Sequence, residues 1–230
     1  SFLIALIAVG VIFFVWYPYP LAQAVGATQL FIMLIAIDVI VGPIMTLLIY
    51  KKDLKVFKMD LVIVVIIQMA AFLYGFYSIA QGRPAWIVFN QNKFELVRVN
   101  DQFTDNAKKI PKEFEKVSWF GPQYVSVVPS SNPKQRDDDL FMEALGGVSL
   151  AQKPERYVPL NATAKKMQQQ AQSLKQLELY NDGDKLKKIL VKYPQATAYL
   201  PIKANKLDMV VLINKREMKV ISIVNLRPWN

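Results

Sequence analysis

Asp38 is the only charged side chain in residues 1–50, and it lies inside a long apolar run, residues 29–50. An ionised carboxylate near the centre of a bilayer is costly, so such a group faces protein or water. Gly42 and Pro43 follow one helical turn later. Proline removes a backbone hydrogen bond and kinks a helix, while glycine lets a second backbone approach closely. Thr46, two turns beyond Asp38, offers a hydroxyl. Gln68 offers an amide near the middle of the next apolar run, residues 61–79. Asp38, Gly42, Pro43, Thr46 and Gln68 are therefore candidate contacts for a partner transmembrane helix. Two other readings of the same residues stand beside this one. Asp38, protonated, can form an internal tie to Gln68 or Thr46. It can also serve a proton or ion pathway, although one acid without an inverted repeat makes a poor transporter.

Other chemistry is restricted by what the chain lacks. It contains no His and no Cys. That removes the usual base of serine and cysteine hydrolases, a disulfide framework and the common zinc sites. An intramembrane aspartyl protease needs two acids in one site. Asp38 near mid-membrane and Asp60 at the membrane edge would lie about 15 Å or more apart in depth, at roughly 1.5 Å of helical rise per residue. The acidic run Asp137 to Asp139 has no second oxygen cluster at a spacing that would complete a metal site. No catalytic, cofactor-binding or metal-binding residue is expected, no cofactor, and no enzymatic activity.

The elements that must position these residues follow from the hydropathy pattern. The 230 residues are 53% hydrophobic with a net charge of +10. The apolar residues concentrate in three runs at one end, whereas residues 81–230 carry 24 Lys and Arg against 15 Asp and Glu. The expected fold is a membrane protein with three transmembrane α-helices, at about 2–17, 29–50 and 61–79, followed by an extracytoplasmic α+β domain. The division is a membrane bundle over 1–80 and a water-facing domain over 81–230. A signal peptide fits the first run less well. No small-residue cleavage site follows it, and Trp16-Tyr17-Pro18-Tyr19-Pro20 reads as an interfacial aromatic belt with helix-stopping prolines. The chain begins at Ser1, and a short cytoplasmic stretch is expected to precede it.

Lys51, Lys52, Lys55 and Lys58 crowd the turn between the second and third runs. The positive-inside rule puts that turn in the cytoplasm, and with it the N-terminus, leaving the uncharged 18–28 loop and the C-terminal domain outside. These lysines also suit anionic lipid. Binding to nucleic acid is not expected of a short loop lying against a membrane.

In the outer part, residues 85–99 alternate as a β-hairpin turning at 90–92. A helix broken by Pro111 is expected over 104–117, a strand over 123–128, and a helix over 135–145 whose first turn holds Asp137 to Asp139. Residues 154–159 read as an extended linker. The clearest soluble helix is expected over 161–179, with Met167, Ala171, Leu174 and Leu177 on one stripe. A basic helix over 185–193 and strands over 198–202, 207–213 and 218–224 complete the domain.

Several stretches together look familiar. They are Asp38-Val-Ile-Val-Gly-Pro-Ile-Met-Thr46, the lysine turn into Lys58-Met-Asp60, and Gln68 with Leu73-Tyr-Gly-Phe-Tyr77. Ala80-Gln-Gly-Arg-Pro84 with Phe89 and Phe94, Tyr199-Leu-Pro201 and Arg227-Pro-Trp229 complete the series. In these the chain resembles the TfpX/TfpZ (FimB-like) family of type IV pilin accessory proteins. The resemblance implies a protein of the bacterial inner membrane, with its C-terminal domain periplasmic, that acts as a chaperone-like helper. Its implied partners are a cognate type IV major pilin, the lipid bilayer and other pilus-assembly proteins. The family brings no catalytic residues. A pilin's apolar helix and its globular head could meet the membrane part and the basic outer domain respectively. Two alternatives remain open: a membrane-anchored regulator or sensor of pilus assembly, and a pilin-modifying enzyme.

Overall fold

In the computed structural model, the structure describes residues 2–29, 31–32, 44, 47, 54–104 and 107–229. The dominant membrane-type element is the helix Leu54–Gln81. Its stretch Val62–Gln81 has a mean hydropathy of 2.1, and only 11% of it is buried. A core helix of a water-soluble domain would be largely covered.

The expectation of three transmembrane helices is overturned, because Val62–Gln81 is the one candidate span among the described residues. The first apolar run is helical only over Phe2–Gly10, then widens into a π-helical turn over Val11–Trp16. Its apolar helix, Leu6–Trp16, is a shorter piece. The whole 2–17 run would reach about 24 Å as a regular helix, less than the roughly 30 Å hydrocarbon core. Most of the expected second span, 29–50, lies outside the described residues.

Gly82 and Arg83 alone separate the long helix from the first strand. Seven strands then build one sheet in the order β4-β3-β1-β2-β5-β6-β7. They are β1 Pro84–Asn90, β2 Lys93–Arg98, β3 Gln123–Val127, β4 Tyr157–Pro159, β5 Ala198–Lys203, β6 Met209–Asn214 and β7 Lys219–Val224. The β1–β2 hairpin turns at Gln91-Asn92, and Gln91 takes the required positive φ of 55°. β1 pairs in parallel with β3, β2 in parallel with β5, and the remaining pairs are antiparallel.

Strand periodicity sends alternate residues to opposite faces, and here both faces are covered. Ile87, Phe89, Phe94, Leu200, Ile202, Met209, Val211 and Ile213 form the core of one face. On the other face, Trp86, Val88, Val97, Val125 and Tyr157 pack around Phe114 at one end. Tyr199, Val210, Leu212 and Val224 pack around Leu177 and Leu186 at the other. The sheet is curled. β3 and β7 stand five strand intervals apart, about 24 Å if flat, yet Tyr124 and Ile221 to Ile223 line one groove.

Residues 18–29 do not form a free loop. Leu21–Ala24 is a short helix whose Leu21 and Ala24 are buried in the first core, beside Ile87 and Ile223. The amides of Lys206 and Leu207 donate to the Ala24 carbonyl at 3.0 and 3.1 Å. Gly26 turns the chain away at φ 77°, where a β-carbon would come within 2.9 Å of the Lys206 side chain. Asn225 Nδ2 donates to Gln23 Oε1 at 2.7 Å, and Lys206 Nζ to Gln29 Oε1.

Two expected helices are corrected. Over 104–117 the described residues hold two 3-10 turns, Ala107–Lys109 and Lys112–Phe114, because Phe114 is drawn against Trp86 and Tyr157 at 6.0 and 5.9 Å. Over 161–179 the chain forms an α-helix only at Ala164–Gln170 and a 3-10 helix at Leu174–Leu179. The β2–β5 ladder covers only Phe94–Glu95 against Ile202–Lys203, leaving the Tyr199 backbone open on that side. Gln172 fills it, its amide donating to Tyr199 O at 2.9 Å and its carbonyl accepting from Tyr199 N at 3.0 Å. Met167 and Leu177 consequently join cores on opposite faces, which one continuous stripe could not do. The helix expected at 135–145 begins earlier, at Pro133, with Asn132 as its cap, so Asp137 to Asp139 fall beyond its first turn.

Candidate functional site

Of the five candidate contacts, Asp38, Gly42, Pro43 and Thr46 lie outside the described residues. Gln68 is half-buried in the long helix. It shares a stripe at helical spacing with Val64, Phe72, Gly75 and Phe76, all buried or half-buried, while most other positions from 62 to 78 are exposed. Gln68 therefore belongs to the packed side of the helix.

The described residues converge at the head of this helix. The last carbonyls of any helix lack partners within it, and here two arrive from elsewhere. Tyr17 Oη donates to Ile79 O at 2.6 Å, and Arg83 Nη1 donates to Ala80 O at 2.7 Å. A cation at this end also complements the helix dipole. Gly82 fits beneath the phenol, where a β-carbon would lie 3.3 Å from Tyr17 Oη. Trp16 packs on Phe76 at 5.1 Å and on Trp119 at 6.0 Å. The Arg83 guanidinium lies 4.3 Å from the Trp119 ring centre and 5.9 Å from that of Trp16. Burial draws the Arg83 pKa below the ordinary arginine value, and Tyr17 pulls it the other way.

Beside this cluster a groove runs between residues 18–21, the 120–122 turn and the last strand. Tyr19, Pro20, Leu21, Phe120, Tyr124 and Ile223 are among its lining residues, and its volume is about 330 Å³. The Tyr19–Pro20 peptide is cis. Burial pushes the Tyr124 phenol up to about 12. One wall is β7, the terminal strand of the sheet, whose outer edge has no strand beside it among the described residues. Such an edge presents backbone groups to a partner chain.

Farther out, a charged cleft of about 370 Å³ lies between the Pro133–Leu145 helix and residues 153–156. Asp139 bridges Lys153 at 2.7 Å and Arg156 at 3.0 Å, so the last acid of the run is tied into the fold while Asp137 and Asp138 are exposed. Among the described residues no group of three His, Cys, Asp or Glu side chains could hold a metal ion. The terminal Arg227-Pro-Trp229 stretch acts as a clasp. Trp229 Nε1 donates to Asp208 Oδ2 at 2.9 Å, Arg227 N donates to Asn181 Oδ1 at 2.7 Å, and Arg227 also reaches the Asp208 carbonyl.

From sequence the outer domain starts at residue 81, and neither Trp119 nor Phe120 nor the groove is singled out. The available signal was Trp119-Phe120-Gly121-Pro122, two large aromatics on a turn between polar segments.

An exposed apolar helix, a groove at its head and an aromatic turn are contact surfaces, and the relatives of the chain are named for assembly. It is 32% identical over 178 residues to the fimbrial assembly protein of serogroup E1 from Dichelobacter nodosus, covering 76% of this chain and 69% of that protein. It is 28% identical over 224 residues to the serogroup I fimbrial assembly protein of the same organism, covering 94% of this chain and 87% of the relative. With the protein of serogroups C1 and C2 it shares 36% identity over 107 residues, 46% of this chain and 82% of the relative. The chain belongs to the family of fimbrial assembly proteins. No family model matches it. No solved structure matches it either.

Proposed function

We propose that this chain takes part in type IV pilus assembly as a membrane-anchored accessory protein. It binds the major pilin of its own cell and supports that pilin's stability or its incorporation into pili. The observation that carries this reading is the relationship to fimbrial assembly proteins, which extends over 94% of the chain. The stretches shared with the TfpX/TfpZ proteins support the finer placement. The apolar, uncovered surface of the long helix favours the bilayer as its surroundings. In this reading the membrane is the bacterial inner membrane. The lysines at 51–58, of which Lys55 and Lys58 lie on the first turns of Leu54–Gln81, face the cytoplasm and the sheet domain faces the periplasm.

The work done is binding rather than catalysis. The groove opens beside the head of the membrane helix, where the apolar helix of a pilin would emerge from the bilayer into its globular head. Its lining mixes apolar side chains such as Leu21, Phe120 and Ile223 with the polar groups of Tyr19, Tyr124 and Ser222, and the β7 edge offers backbone hydrogen bonds in the manner of strand addition. Other pilus-assembly proteins are further candidate partners.

The test is an in-frame deletion in the native host with complementation, counting surface pili and measuring total pilin. Loss of pili together with a fall in pilin supports the chaperone reading. Loss of pili at unchanged pilin favours the regulator instead. Normal pili in the deletion strain reject a role in assembly.

A further inference from the structure

Trp119 and Phe120 are adjacent and 58% and 89% exposed. They sit on a turn in which Phe120 N donates to Ser118 Oγ at 3.0 Å and Gly121 holds a φ of 92°. This turn reaches back along the apolar helices. A β-carbon on Gly121 would lie 3.4 Å from the carbonyl oxygen of Val15. Trp119 packs on Trp16, and Trp16 packs on Phe76. Phe76 stands five residues before the last residue of Leu54–Gln81, about 7.5 Å inside the helix end at the standard rise.

The surroundings match a membrane interface. Tyr74 and Tyr77, on the last turns of the long helix, are 74% and 60% exposed, and Phe14 and Tyr19, flanking Trp16, are 83% and 76% exposed. Tyrosine and tryptophan collect where an apolar ring can be buried and a polar tip remains wet. Arg83 stacks on Trp119 and caps the helix at the same level. Arg83 is itself buried at 5% exposure, so it anchors the Trp119 ring to the helix end rather than meeting headgroups.

We propose that the Trp119–Phe120 turn is a second membrane contact, a phospholipid-binding wedge that seats the sheet domain on the bilayer. Trp119 lies among the headgroups and Phe120 enters the outer acyl chains. Phe120 and Gly121 also line the groove, so the wedge holds the mouth of the groove at the bilayer surface. The proposal rests on the reading of Leu54–Gln81 as a membrane helix.

The chain has no cysteine, so single labels can be placed cleanly. Phe120→Cys, Leu73→Cys on the exposed face of the long helix and Val191→Cys on the far surface each receive an environment-sensitive fluorophore. The full-length protein is reconstituted into phosphatidylcholine–phosphatidylglycerol vesicles, then titrated with lipid-borne nitroxide and with aqueous iodide. The expected result at position 120 is nitroxide quenching at least half that at 73, with iodide quenching at least threefold below that at 191. Iodide quenching at 120 equal to that at 191, while 73 reports lipid, overturns the wedge and leaves the membrane helix standing. Shielding from both quenchers overturns it in favour of cover by a second copy. Water exposure at 73 as well overturns the membrane reading and the wedge with it.

Discussion

Leu21→Ala should be one of the most damaging substitutions in the chain although it lies outside the sheet. Leu21 is 3% exposed and packs in the same core as Ile87 and Ile223. The substitution removes three buried carbons, worth about 2.4 kcal/mol at roughly 0.8 kcal/mol per methylene. A rigid wall of β-sheet relaxes little, so a cavity cost is added, giving about 3 kcal/mol within the usual 2–5 kcal/mol range. The assay is urea unfolding of the full-length protein in detergent, followed by the accessibility of trypsin sites in the sheet domain. Tyr19→Ala, two residues away and 76% exposed, is the comparator and should stay within about 0.5 kcal/mol of wild type. If Leu21→Ala costs under about 1 kcal/mol and behaves like Tyr19→Ala, residues 21–24 are not part of the sheet core.

Three further outcomes follow from particular contacts. Tyr17→Phe should cost about 1 kcal/mol, the net worth of a hydrogen bond, read as earlier fraying by hydrogen exchange at Ile79 to Gly82, because the Ile79 carbonyl loses its donor. Tyr199→Phe should be neutral or stabilising by up to about 1 kcal/mol in the same urea assay, since its hydroxyl is buried without a hydrogen-bond partner among the described residues and an unmet polar group carries a desolvation cost. Tyr124 has its phenol raised by burial to about 12, so the stability it contributes is complete below about pH 10, its unfolded value, and is lost as pH rises toward 12. At about 1.4 kcal/mol for each pH unit, the window from 10 to 12 is worth on the order of 3 kcal/mol. Tyr124→Phe should flatten the decline between pH 10 and 12, and an unchanged slope would refute the assignment.

The strands were legible because alternation and turn residues agree. Both faces of β6 are buried, yet Met209 to Ile213 is a short run of β-branched and apolar residues closed by Asn214 to Glu217, and it reads as a strand regardless. The apolar part of the long helix was legible from hydropathy, but its start was not: the stretch 54–60, read as a turn because of its lysines, is helical. The 161–179 segment was not, because its helical stripe is real in sequence but loses to a distant event, the open Tyr199 backbone that captures Gln172. The first apolar run misled through composition, which says nothing of the π-turn at Val11–Trp16. The insertion of Leu21 and Ala24 into the sheet was invisible because an uncharged loop and a buried two-sided contact have the same local pattern. At the candidate site, Gln68 was placed on its helix from sequence and lies on its packed stripe. Trp119 and Arg83 are 36 positions apart in the chain, and only the fold brings the guanidinium over the ring.

The central claim is that this family member handles pilin directly. The most direct measurement is co-purification of the full-length, affinity-tagged protein with the major pilin of its own host, from membranes solubilised in a mild detergent. The account predicts pilin retained in near-stoichiometric amount, and lost when Tyr19 and Phe120, both exposed and both lining the groove, are replaced by Ser in a protein that still accumulates. Pilin recovered at no more than the level of an untagged control, from cells that contain both proteins, would contradict it.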